Sequence, residues 1–138
     1  RRSTMSKATN TSNASCPCGS TFPGVACCVP FVAGLGIAPT AEALMRSRYT
    51  AFAMSNSVYL LDTWHSSTRP PALLFEREQR WLGLKIVNTT DGLAGDDSGM
   101  VQFVARYKIA GRAHRLEELS RFTFEQGRWF YVDAVTQS

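Results

Sequence analysis

The spacing of apolar positions changes character near the middle of the chain. Between Thr40 and Met54 they recur at helical intervals: Ala41, Leu44, Met45, Ala51 and Phe52 form one stripe, with Arg48 at its centre. Pro39 precedes this segment, Thr40 can cap it, and Glu42 lies in its first turn, where the helix dipole favours negative charge. A second helix is expected over about Ser57 to Trp64, capped by Ser55 or Ser57. It places Val58, Leu61 and His65 near one face, with Leu60 and Trp64 beside them. Ser66 to Pro71 interrupts the pattern, and a short third helix is expected over Ala72 to Arg80, with Pro71 at its first position.

From Leu82 onward the period is two. Leu82 to Asn88 reads as a strand, followed by a polar, glycine-containing loop from Asn88 to Gly99 with Asp91, Asp96 and Asp97. In the next strand Val101, Phe103, Ala105, Tyr107 and Ile109 share one face, and Gln102, Val104, Arg106 and Lys108 the other. Gly111 marks a turn before a strand from Arg115 to Phe124. Gln126-Gly127 then turns the chain into a last strand, Arg128 to Val135. Helices first and antiparallel strands after them define an α+β fold, with a curved sheet wrapped around the helices.

Ahead of the helices, Val29 to Ala38 is apolar with breaks at Pro30, Gly34 and Gly36, and is expected to be a packed connector. Residues 1–15 are rich in Ser, Thr and Asn and are expected to form a disordered tail, with Met5 as the natural start after Arg1–Thr4. The expected organisation is therefore a tail (1–15), a cysteine-bearing knuckle (16–30) and an α+β domain (31–138).

Composition changes this picture in one respect. The formal charge is +4, but Arg1, Arg2 and Lys7 carry three of those charges, so residues 16–138 hold +1. Four thiolates around one divalent zinc would shift that to about −1. The remaining charges are scattered, which argues against the clustered basic face of a nucleic-acid binder. No apolar run has the length of a membrane helix and no signal-peptide order opens the chain, so a cytoplasmic location is expected. Arginine outnumbers lysine twelve to three, which suits planar anions and partly buried pairs.

All four cysteines, Cys16, Cys18, Cys27 and Cys28, fall within thirteen residues in the pattern C-x-C-x₈-C-C. Cross-pairing into two disulfides would make a strained double loop, and an iron–sulfur cluster suits adjacent ligands less well. Tetrahedral thiolate ligation of one Zn²⁺ accounts for the spacing directly, with Pro17, Gly19 and Pro23-Gly24 turning the chain between ligands. Four protein ligands leave no open position for water, so the site is expected to be structural.

The run Cys16-Pro17-Cys18-Gly19-Ser20 followed by Cys27-Cys28 resembles the SEC-C zinc motif, which also serves as a docking element at the C-terminal tail of the SecA translocation ATPase. Thr21 stands where that motif usually has a second glycine, and Phe22 to Ala26 lack the lysines of the tail version. A longer resemblance covers nearly all of the chain from Cys16 to Asp133. Ala38-Pro39-Thr40-Ala41-Glu42-Ala43-Leu44-Met45-Arg46-Ser47-Arg48-Tyr49 is similar to the hallmark of the YchJ-like family, small bacterial proteins of unassigned function. Thr63-Trp64-His65, Trp81-Leu82-Gly83-Leu84, Phe103-Val104-Ala105-Arg106, Ser120-Arg121-Phe122 and Trp129-Phe130-Tyr131-Val132-Asp133 follow in the same order. Ala134 replaces a usual glycine, and one SEC-C motif is present where some members have two. The resemblance implies a nuclear-transport-factor-2-like (cystatin-like) fold, with helices packed in a cone against a curved antiparallel sheet.

Such a cone can hold a pocket, and fold alone does not decide its use. Glu118, Ser120 and Phe122 alternate and therefore share the inward face of their strand. Arg48 is costly in an apolar stripe unless a carboxylate or carbonyls meet it, so an Arg48–Glu118 contact inside the cone is expected. Trp81, Phe103, Trp129 and Tyr131 read as core. The candidate cavity residues are Arg48, Tyr49, Trp64, His65, Glu118 and Ser120. The reading that follows is a zinc-binding module that holds a small ligand in the cone or a protein partner at the knuckle. The alternative is a small enzyme using His65 with Asp62, or Glu118, as acid and base.

Overall fold

The computed structural model describes residues 14–135, so the expectations for the leading tail and for Met5 lie outside the described residues apart from Ala14 and Ser15. Those two are part of the knuckle. Ser15 forms an antiparallel bridge with Pro23, and the Ala14 carbonyl accepts from Gly24 N at 2.9 Å. A 3-10 turn at Gly24–Ala26 then leads into a one-turn helix α1, Val29–Val32, with Pro30 at its start. The connector beyond it is packed only in part: Val32 and Ala38 are buried, while Leu35 and Ile37 are exposed.

Helix α2, Ala41–Ala53, begins where the sequence places it, with the Thr40 hydroxyl accepting from Ala43 N at 3.0 Å. Its apolar stripe is buried as expected except for half-buried Phe52, and Ser47, Tyr49 and Thr50 are buried as well. The helix is enclosed on most sides because the knuckle, the sheet and helix α3, Ser57–Asp62, all pack against it. The cap of α3 is Asn56, whose Oδ1 accepts from Tyr59 N at 3.1 Å, in place of Ser55 or Ser57. Ser55 instead adopts φ 56° and reverses the chain between the two helices.

Helix α3 also ends two residues earlier than expected. Past it the chain zips alongside the last strand, with Tyr131 N donating to Thr63 O at 2.8 Å and His65 N to Tyr131 O at 2.7 Å. The third helix over Ala72 to Arg80 does not form. Leu73 and Phe75 turn inward against the cluster of Val32, Ala51 and Leu60, Phe75 edge-on to Phe52, while Leu74 between them is 91% exposed, a period of two that only extended backbone delivers.

Strand β1, Gln79–Asp91, therefore starts three residues before Leu82 and runs on past Asn88. It is followed by β2, Ser98–Ile109; β3, Arg112–Glu125; and β4, Arg128–Val135, in an antiparallel meander of order β1-β2-β3-β4. Register shifts at Trp81/Gly83, Ile86/Asn88 and Arg121/Phe122 bulge the long strands, and bulges bend a sheet. Two-residue turns at Ala110-Gly111 and Gln126-Gly127 have both central residues at positive φ, the twist-matched hairpin geometry. One concave face carries Val101, Phe103, Ala105, Ser120, Phe122 and Trp129, and the helices pack there. The result is the expected α+β cone.

The knuckle is not a separate appendage. Cys16, Cys18 and Cys28 belong to the same buried cluster as Leu44, Tyr49, Phe103 and Trp129.

The start of α2 is held to the β1–β2 hairpin by Ala41 N donating to Gly92 O at 2.9 Å. A Cβ at Gly99 would meet the Gly92 nitrogen at 2.7 Å, where only backbone could give way. Gly99→Ala is expected to lower unfolding stability in urea by at least about 2 kcal/mol, whereas Gly83→Ala, with open space around its Cβ position, should change it far less.

Candidate metal centre and cone cavity

The knuckle brings its four sulfurs within 4.8 Å of one another. Cys18 Sγ lies 3.6 Å from Cys27 Sγ, which lies 3.7 Å from Cys28 Sγ. A tetrahedral ion bound at about 2.3 Å by thiolates sets neighbouring sulfurs about 3.8 Å apart, so the arrangement fits one metal ion with little adjustment. All four cysteines are free of disulfides. Three are buried, and Cys27 is half-buried.

The surroundings supply what a cluster of thiolates requires. Arg46, held by Glu42 at 2.9 Å, donates from Nη1 to the Cys18 carbonyl at 3.0 Å and lies 3.8 Å from its sulfur. The Ser20 hydroxyl is 3.1 Å from Cys27 Sγ and the Thr50 hydroxyl 3.6 Å from Cys16 Sγ. The Cys18 thiol is held down to about 4, first by its hydrogen bond with Cys28 and against the effect of burial. Cys28 is pushed up by that same contact and by burial, and Cys27 chiefly by burial. Arg46 carried no motif that singled it out in the sequence, although its i,i+4 spacing from Glu42 was visible there.

On the other side of α2 a cavity of about 330 Å³ opens between helix and sheet. Of the expected residues, Arg48, Tyr49, Trp64, Glu118 and Ser120 line it. His65 does not: its Nε2 lies 3.0 Å from Glu125, its Nδ1 2.8 Å from Ser67, and its ring packs edge-on to Phe130. Asp62 is not its partner either, since Arg128 takes that carboxylate at 2.8 Å. The reason is the early end of α3, which puts His65 into the bridge with β4 and breaks the helical spacing from Asp62. Of the four aromatics read as core from the sequence, Phe103 and Trp129 are buried in it and Trp81 and Tyr131 pack against it, while Trp81, Phe103 and Tyr131 also present a side to the cavity.

Arg48 is 3% exposed. Among the described residues no carboxylate lies within 4.0 Å of it, so the expected pair with Glu118 is not made. Nη1 donates instead to Leu60 O at 2.8 Å and Thr63 Oγ1 at 2.7 Å, and the guanidinium carbon lies 4.6 Å from the Tyr131 ring centre and 5.1 Å from that of Trp64. Aromatic faces and the carbonyl at the end of α3 do the work a carboxylate was expected to do. Burial lowers the Arg48 pKa to about 10, which leaves it a cation at neutral pH. Glu118 accepts from the Ser120 hydroxyl at 2.8 Å. Tyr131 is pushed up to about 12, first by burial and then by the Glu118 charge. The indole N–H of Trp64 is buried without an acceptor.

A SEC-C-type cysteine knuckle fused to a nuclear-transport-factor-2-like cone is the class of protein these features define. The family profile described as "YchJ, middle NTF2-like domain" matches residues 40–134. A UPF0225 protein from Chromobacterium violaceum is 44% identical over 94% of this chain and 98% of its own, and one from Methylibium petroleiphilum is 51% identical over 86% and 85%. The solution structure of a SEC-C motif containing protein from Rhodopseudomonas palustris superposes with a TM-score of 0.80 at 28% identity, over 91% of this chain and all of the other. The crystal structure of a SEC-C motif containing protein from Psychrobacter arcticus gives 0.73 at 26% identity, over 94% and 87%. The chain belongs to the YchJ-like (UPF0225) family of SEC-C motif proteins.

Two outcomes are expected. Metal analysis should find one ion per chain, lost in Cys28→Ser and released progressively as pH falls, because protons compete for the thiolates. In a double-mutant cycle of Arg48→Met and Glu118→Gln, urea unfolding should show a coupling of about 1 kcal/mol or less, the low end for charges that share a cavity without contact.

Proposed function

We propose that the protein is a zinc-stabilised binding module whose cone holds a small ligand. The observation that carries this reading is the open 330 Å³ cavity with a buried, unneutralised Arg48 on its wall. Apolar walls with a few converging polar groups are the usual make-up of a small-molecule site.

Zinc is the ion that four clustered thiolates favour, and a closed thiolate set supplies structure and no water-activating position. The sulfurs on the inner side of the knuckle join the core next to α2, which supports a structural role. Phe22 and Val25 face outward from the knuckle, 62% and 53% exposed, and are where a protein partner would meet it. The enzyme alternative loses its His65–Asp62 pair to Glu125 and Arg128 and is left with Glu118, whose hydroxyl partner is Ser120.

Native mass spectrometry of protein purified without chelator tests the proposal. One zinc per chain and a retained or added small molecule are expected, with Leu116→Trp, which crowds the cavity wall, losing the small molecule and keeping the zinc. A chain without zinc, or a ligand held equally well by Leu116→Trp, would overturn it.

A further inference from the structure

The free hydrogen-bonding groups in the cavity specify what kind of molecule can complete it. Arg48 uses only Nη1 toward protein acceptors. Its Nε and Nη2 have none among the described residues, and neither is among the fully buried unpartnered polar atoms there, where Trp64 Nε1 alone stands. Tyr131 and Trp64 stand at 82° to each other on one side of the guanidinium, and the edge without a protein acceptor, Nε with Nη2, is what is left for a ligand. Two parallel N–H groups on one edge match the two oxygens of a carboxylate, and a point acceptor would use them less well.

A bare anion would also meet Glu118, a carboxylate on the same cavity wall that makes no ion pair with Arg48, and Glu76 elsewhere on the lining. A donor placed beside the ligand carboxylate turns that repulsion into a hydrogen bond. Phe52, Trp81 and Phe103 supply aromatic walls for an apolar body. At about 330 Å³ the space is at the small end of ligand sites, enough for one ring and too little for a nucleotide.

We propose that the cone binds a single-ring carboxylic acid carrying a hydroxyl or ammonium group next to the carboxylate, with the acid on the Arg48 edge and the donor on Glu118. This assignment rests on the cavity being a ligand site.

The test uses the full chain with its metal and follows Trp64 and Trp81 fluorescence against four probes sharing one ring: L-phenylalanine, 3-phenylpropionate, 3-phenylpropanol and phenethylamine. L-Phenylalanine should bind tightest, and 3-phenylpropionate about tenfold tighter than 3-phenylpropanol, the usual effect of one charged hydrogen bond. Arg48→Lys should erase the preference of acid over alcohol. Glu118→Gln, a substitution outside the α2 core, should erase the advantage of L-phenylalanine over 3-phenylpropionate. Alcohol binding as tightly as the acids, or amine binding tightest, sinks the carboxylate assignment while the cavity reading stands. No binding by any of the four sinks both.

Discussion

Helix α2 has to satisfy three surroundings at once. One side meets the cysteine knuckle through Arg46 and Thr50, another meets the sheet through Leu44 and Met45, and a third lines the cavity through Arg48 and Tyr49. A thirteen-residue helix with this much of its surface buried cannot shift along its axis without disturbing all three. Its position is fixed at one end by the Thr40 cap and the Gly92 carbonyl. At the other it is tied to α3 through the Arg48 bonds to Leu60 and Thr63. The placement of this helix is what allows a four-cysteine cluster and an open cavity to sit on opposite sides of one helix.

The cavity is polar where it is because of how Arg48 is accommodated. A buried guanidinium is costly to desolvate, and a direct carboxylate partner is the common remedy. Here the remedy is distributed over a helix-end carbonyl, a threonine hydroxyl and two aromatic rings. That distribution leaves part of the guanidinium edge free and Glu118 unpaired with it. Had the two charges met, the cone would have contained a closed ion pair and little to offer a ligand.

The knuckle contributes in a different way. Small domains have little core to spare, and three cysteines buried against Tyr49 and Leu44 extend this one. Ion binding would tie the first described residues to α2 without lengthening any helix or strand. The exposed side of the knuckle, with Phe22 and Val25, is left for other uses.

The four-cysteine spacing, the Thr40-capped helix, the alternation of β2 and the two-residue turns at Gly111 and Gly127 were determined by the sequence itself. Each rests on interactions between residues close along the chain: ligand spacing, capping, period and positive-φ turns. The inward face shared by Glu118, Ser120 and Phe122 followed from strand alternation in the same way. What Arg48 pairs with, where His65 points and whether Leu73 to Phe75 coil or extend were decided only in the tertiary structure. These depend on where distant segments arrive. Tyr131 and β4 capture the chain after Asp62, Glu125 captures His65 from sixty residues away, and the cluster of Val32, Ala51 and Leu60 draws Leu73 and Phe75 out of a helix. Local spacing carries no record of such neighbours, so the cluster of cysteines was legible from the start and the chemistry of the cone was not.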